Sequence, residues 1–236
     1  MKQLFKTTGN DVLDFSRYFN GNNEPPLFRK QCIDLRNKLF IHVDEPGLFV
    51  LSNNLKKNVI LHHFVEDKKQ NSFVMNKNPP LDLYQKVYAV TSSDLSVDSL
   101  HTFKPFNESN ILKARINAYR LQNEFDLLII LTLIWGDRST FEWAFNNIEK
   151  GSDCAVSSQS IKDEKTFREG LIYSIDKIQP EHLCWYGIVY DWVKEYYDLE
   201  RIVKMQTRTQ LIHQKQVLLE EKLKKIIQKR FCRMKG

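Results

Sequence analysis

Four apolar runs in this sequence end in polar tips of the kinds that bind ligands or move protons. They are Thr91-Ser92-Ser93-Asp94-Leu95-Ser96, Trp135-Gly136-Asp137-Arg138, Ser157-Ser158-Gln159-Ser160 and Trp185-Tyr186-Gly187. Asp94 and Asp137 are carboxylates suited to a metal ion or to general acid and base work. Arg138 can hold an anion, and Ser157 and Ser158 can donate to a phosphate at a helix N-terminus. Ordinary turns and caps use the same residues, Asp and Ser above all. Chemistry therefore requires that one fold bring the tips together.

The elements between the tips suggest that it does. From Lys86 to Gly187 the chain alternates strand and helix: strands at 86–90, 127–134, 153–158 and 182–187, helices at 107–123, 140–148 and 164–178. The run Leu127 to Ile134 has no polar face, which suits a strand covered on both sides in a parallel sheet. Parallel neighbours need long connections, and these pack as right-handed helical crossovers. In such sheets and barrels, ligands bind beyond the carboxyl ends of the strands. The expected fold is α/β: a mainly parallel sheet with helical crossovers, a partial or distorted (β/α) barrel being one form of it, plus a long C-terminal helix.

The expected domains are an α/β body over 1–198, β-rich to residue 80 and βα-repeating over 81–198, and a basic amphipathic helix over 199–236. In the body's first part, 38–43, 48–51 and 59–65 read as short strands, residues 1–30 as a short helix and loop, and 66–80 as a long loop. Ser139 is the expected cap of the helix carrying Phe141, Trp143 and Phe145, and an aromatic helix is expected around Tyr190, Trp192, Tyr196 and Tyr197.

Composition narrows the class. The chain has 236 residues, 42% hydrophobic and 27% charged, with 8 Gly and 7 Pro, which is the profile of a globular body with its own core. No run approaches the roughly 20 apolar residues of a membrane span, and the N-terminus lacks a secretory apolar region, so a cytoplasmic protein without a membrane partner is expected. Cys32, Cys154, Cys184 and Cys232 lie far apart and read as reduced thiols, with Cys154 and Cys184 as small core residues. His62 and His63 are adjacent in a strand pattern, so they point to opposite faces and cannot share a metal. GxSxG, GxxxxGK[ST], GxGxxG and HExxH are all missing, and the motifs name no cofactor.

The charge is concentrated at one end. Residues 200–236 hold eleven Lys and Arg against three Glu, +8 of a net +6, leaving the first 199 residues at −2. Along this stretch Ile212, Leu219, Leu223, Ile226 and Ile227 form a narrow apolar seam, surrounded by Lys222, Lys224, Lys225, Lys229 and Arg230. Those five cations can track nucleic-acid phosphates, or they solvate a helix that packs on its own body, on another helix or on a second copy as a homodimer.

One set of residues resembles a known family. Ser93-Asp94-Leu95-Ser96, Asn117-Ala118-Tyr119-Arg120, the strand ending in Trp135, Phe141 and Phe145, Gly151-Ser152 before Ala155-Val156-Ser157, then Pro180 and Tyr186-Gly187, resemble a domain-of-unknown-function family of bacterial, plasmid and phage proteins. The resemblance spans about residues 80 to 190. The family's first site reads Pro-Asp-Phe-Ser; this chain has Ser93 and Leu95 in place of the Pro and the Phe. The resemblance implies a mobile-element setting, for instance a phage or plasmid, in the cytoplasm of a bacterial host cell, and brings no activity with it. It highlights Asp94, Asn117, Arg120, Trp135, Ser157 and Tyr186. Two functions are expected: an accessory protein that binds host protein or nucleic acid, or a small enzyme on a nucleotide or phosphate-containing substrate.

Overall fold

The computed structural model describes Tyr18 and residues 24–45, 56–74, 81–97, 104–159 and 161–206. Seven strands follow one another in a single sheet in chain order: β1 (Leu39–His42), β2 (Val59–His62), β3 (Ala89–Thr91), β4 (Ile129–Thr132), β5 (Cys154–Ser157), β6 (Leu183–Tyr186) and β7 (Ile202–Met205). Each pairs in parallel with the next. Among the described residues the helices are α1 (Asp67–Val74), α2 (Leu81–Tyr84), α3 (Lys104–Asn123), α4 (Arg138–Phe145) and α5 (Glu164–Ile178). The β-rich first part thus completes the same sheet as the βα repeats.

The sheet curls into a nearly closed barrel, as two observations show. Strands β1 and β6 are five neighbours apart, about 24 Å in a flat sheet, yet the Tyr186 hydroxyl lies 3.1 Å from Nε2 of His42. The apolar residues also sort by strand parity. Phe40, Ile60, Ala89, Ile130, Ala155, Cys184 and Met205, one from each strand, form a single inner cluster. Their sequence neighbours Val59, Leu61, Val90, Ile129, Leu131, Val156 and Trp185 face outward, to a layer that includes Ile111 and Ala118 of α3, Phe145 of α4 and Leu171 of α5. A period of two, buried on both faces, is why the strands read as unbroken apolar runs. Cys154 and Cys184 are buried, free thiols, one on each face.

The segment before β1 closes the amino-terminal end. Gln31 Nε2 donates to the Leu127 carbonyl (2.9 Å) and its Oε1 accepts from Ile129 N (2.8 Å). Gln122 brackets Arg29 in the same way, at 3.0 and 2.8 Å. Ile33 and Leu35 then join the inner cluster.

Several elements depart from expectation. Residues 67–74 are helix where a loop is expected, because the inward anchor of α1 is a polar residue, Gln70, and no apolar period shows. The first of the βα strands begins at Ala89 rather than Lys86. Asp137, not Ser139, caps α4; its carboxylate accepts from Ser139 N at 2.9 Å. The aromatic helix is replaced by a 3-10 turn (Asp191–Glu195), and Tyr190, just before it, stacks on Trp192 at 5.7 Å. Residues two apart cannot face one another on an α-helix.

The largest departure is at Leu199, where the long helix is expected to begin. Instead Asp198 caps a 3-10 turn (Leu199–Arg201), and Ile202 and Val203, a β-branched pair, open β7 beside Leu183 and Cys184. The seam and cations of the expected helix, including Lys222, Lys224, Lys225, Lys229 and Arg230, lie outside the described residues, as do the 48–51 strand, Ser160 and most of the 1–30 helix and loop.

Candidate functional site

The carboxyl ends of β3, β4 and β5 and the N-terminus of α5 enclose a cleft of about 470 Å³. A parallel barrel puts its loops and helix N-termini at this end, so the location follows from topology. The volume lies within the range of small-ligand sites. The apolar lining includes Leu133, Ile134, Trp135, Ile161 and Phe167, and Phe106, an exposed residue in the first turn of α3. Polar groups come from Asp94, Ser96, Ser157, Gln159, Asp163 and Thr166, together with Lys162.

Three of the residues expected to do chemistry meet here: Asp94, Trp135 and Ser157. Trp135 stacks on Phe167 (5.4 Å between ring centres), and its indole N–H donates to the Thr166 carbonyl at 3.4 Å. Gly170 makes this possible, since a Cβ there would stand 2.0 Å from the indole nitrogen. Ser157 accepts from Gln159 N at 3.2 Å.

Asp94 is held through its backbone. The side chain of Gln70, fully buried on α1, accepts from Asp94 N at 2.7 Å and donates to the Asp94 carbonyl. Asp67, at the start of the same helix, accepts from Ser96 N (3.2 Å) and Ser96 Oγ (3.0 Å). Next to Asp94, Ser93 Oγ donates to Asn117 Oδ1 at 3.0 Å, so Asn117 supports the loop from α3.

The Asp94 carboxyl itself is half-buried, and among the described residues no donor reaches it. Burial, and second the negative charge of Asp67, push its pKa up to about 7. A carboxyl group that is close to half-protonated at neutral pH, in a cleft, has the properties of a general acid or base.

The other expected site residues lie outside the cleft lining. Asp137 is engaged as the α4 cap, where it also accepts from Ser139 Oγ at 2.6 Å, and Arg138 beside it is exposed. Arg120, near the far end of α3, pairs with Glu124 at 3.2 Å. Ser158 Oγ donates to the Ile188 carbonyl (2.7 Å) and accepts from Trp185 Nε1 (3.1 Å). Tyr186 is buried inside the barrel with His42, His62 and Phe64, its ring parallel to that of Phe64 at 5.1 Å. His62 points inward to this cluster, while His63 points outward and bonds Tyr84 Oη at 2.7 Å, in line with their opposite faces in sequence.

Reading by strand ends misses Gln70 and Asp67, whose helix reads as loop, and Phe106 and Phe167, which carry no polar signal. Asp163 was accessible: an Asp one residue before Glu164 is a cap signature, and its carboxylate does accept from Lys165 N at 3.1 Å. A second carboxyl with a raised pKa, Asp153, sits at the opposite rim, 2.9 Å from His182 Nδ1; burial is the main cause. In barrels of this kind that rim serves stability rather than ligands. Among the described residues no group of three His, Cys, Asp or Glu side chains could hold a metal ion, and no helix is long and apolar enough to cross a membrane.

Comparison with known proteins fits this architecture to a family. The model of the domain of unknown function DUF4417 matches residues 34–206, from just before β1 to the end of β7. The chain belongs to this family. The match takes in the whole barrel, so the family unit is the seven-stranded sheet and not only the βα repeats at 80–190. Among curated proteins the chain is 30% identical to the "Gene 1 protein" of Mycobacterium phage L5 over 131 residues, 54% of this chain and 56% of that protein. It is 29% identical to the "Gene 1 protein" of Mycobacterium phage D29 over 133 residues, 54% of this chain and 48% of that one. The chain therefore spans about half the length of the curated relatives it matches, and these relatives are phage proteins. No solved structure matches the chain.

Proposed function

We propose that this DUF4417 protein is a small enzyme whose substrate sits in the cleft at the carboxyl edge of the barrel, with Asp94 exchanging a proton with it. The observation that carries this reading is the Asp94 carboxyl: open to a 470 Å³ cleft, with no donor among the described residues, and with a pKa raised to about 7. A structural carboxylate is normally held by donors and kept ionised. Ser157 and Gln159 offer further hydrogen bonds to a substrate, and Trp135 an apolar wall. Of the expected nucleotide or phosphate-containing substrates, those with an uncharged organic part suit these walls.

The test is a direct titration of Asp94 by carboxyl carbon NMR, followed by a small-molecule screen on wild type and Asp94→Ala. A midpoint near 7 and a compound that binds wild type but not the variant support the reading. A midpoint near 4 removes it.

The charge of residues 200–236, +8 by sequence, favours a second reading: a basic arm that binds nucleic acid or a host protein, or pairs two copies of the chain. Truncation after Gln206 should abolish such binding and leave the barrel intact. Nucleic-acid binding must weaken steeply with added salt; salt-independent association points to protein.

A further inference from the structure

The cleft has features that select among organic ligands. Phe106 lines the cleft, is 47% exposed and makes no ring contact with any described residue, whereas Trp135 and Phe167 are already stacked on each other. An aromatic face left open at a cleft is a stacking platform for a planar group, since every nucleobase has a π-face. Ile161 and Phe167 add apolar surface to the lining, with Lys162, Asp163 and Thr166 between them in sequence.

Charge narrows the choice. Asp94 and Asp163 face the cleft against Lys162 alone, and Lys162 is exposed at the edge. Asp163 also occupies the N-terminus of α5, accepting from Lys165 N and Thr166 Oγ1. The helix end that would otherwise attract a phosphate is therefore already satisfied by a carboxylate. This lining suits an uncharged planar ring with N–H groups on its edge, and any phosphate would have to point outward.

We propose that the cleft takes a nucleobase, as a nucleoside or with its phosphates toward solvent, stacked on Phe106 and with its N–H edge on Asp94. This rests on the acid–base reading of Asp94 given above. The carboxyl fits an edge in either protonation state. Ionised, it accepts two N–H bonds, as guanine offers; protonated, it donates to a ring nitrogen while accepting from an amino group, as adenine and cytosine require.

The full-length protein can be titrated with adenosine, cytidine, guanosine and uridine, and with ribose 5-phosphate and inorganic phosphate, at pH 6 and pH 8. The readout is the Trp135 indole N–H resonance, assigned with Trp135→Phe, which reports on the cleft and not on the basic tail. The expected result is that at least one nucleoside moves this resonance and binds about tenfold or more weakly to Phe106→Ala and to Asp94→Ala, while the two phosphates leave it in place. Adenosine or cytidine should bind more tightly at pH 6, guanosine at pH 8.

Movement by the phosphates but by no nucleoside overturns the ligand class. So does nucleoside binding that both variants retain, or no movement with any probe. The Asp94 titration then separates the two claims: a midpoint near 7 keeps the acid–base site and discards only the nucleobase, and one near 4 discards both.

Discussion

The carboxamide of Gln70 brackets the backbone of Asp94, accepting its N–H at 2.7 Å and donating to its carbonyl, as a neighbouring strand would. The same amide nitrogen reaches the Val65 carbonyl at 2.8 Å. One buried side chain on α1 thus fixes the loop that carries the candidate acid. Gln70→Leu keeps the bulk and leaves these backbone groups unpaired, which should cost about 2–3 kcal/mol and lower the Asp94 pKa as the loop opens to water. Gln70→Glu adds a negative charge beside Asp94 and Asp67 and should raise it. Chemical denaturation and carboxyl carbon NMR measure both effects; an Asp94 midpoint unmoved in both variants would show that Gln70 does not position it.

Asp94 also sets a pH dependence of stability. Its pKa is about 7 in the folded chain, against 3.8 as the ordinary value. Between these values the folded state holds a proton that the unfolded state has lost, so stability falls as pH rises from about 4 to about 7 and is level above that. A thousandfold difference in proton affinity corresponds to about 4 kcal/mol, an upper figure for a group partly open to solvent. Asp94→Asn should remove this slope and be the more stable protein at pH 8. A variant less stable than wild type at pH 8, with the slope kept, contradicts the assignment.

His62 is fully buried in the barrel, and among the described residues neither of its ring nitrogens has a hydrogen-bond partner. Burial, then His42 and His63, hold its pKa well below the ordinary 6.5. The folded state therefore binds fewer protons than the unfolded one, and this contribution is complete above about 6.5 and lost as pH falls toward the folded pKa. An apolar side chain of similar size removes the unpaired nitrogens, so His62→Leu should be neutral or stabilise by about 1 kcal/mol at pH 7, and by more at pH 5. A loss of stability that is the same at both pH values would instead indicate a ligand or water held by the ring.

Much of this was legible in the sequence because the signal was local. Parallel strands buried on both faces leave apolar runs, and four such runs with helices between them bring Asp94, Trp135 and Ser157 to one rim. Residue pairing across the barrel was not legible: Asp137 and Ser158 have the same residue types as Asp94 and Ser157, but their partners, Ser139 in one case and Ile188 and Trp185 in the other, use their hydrogen-bonding capacity. Gln70 was hidden for a related reason. A buried glutamine that binds backbone looks polar in sequence, so the helix carrying it reads as loop. At Leu199 to Met205, polar composition suggested a helix, and the vacant edge of the sheet beside β6 decided otherwise.

Gly170 gives the last test, because it couples packing to the cleft. A Cβ at this position would lie 2.0 Å from Trp135 Nε1 and 2.4 Å from its Cδ1, closer than carbon can approach without movement. The indole is not the end of a flexible chain; it is held between Phe145 and Phe167 at 5.6 and 5.4 Å. Gly170→Ala must therefore push Trp135 toward the cleft or α5 away from the sheet, at about 1–3 kcal/mol. If the indole moves into the cleft, ligand binding falls more than stability does, and Trp135→Phe, which is smaller, should restore both in the double variant. Additive losses in that double variant would mean that the two residues do not press on one another.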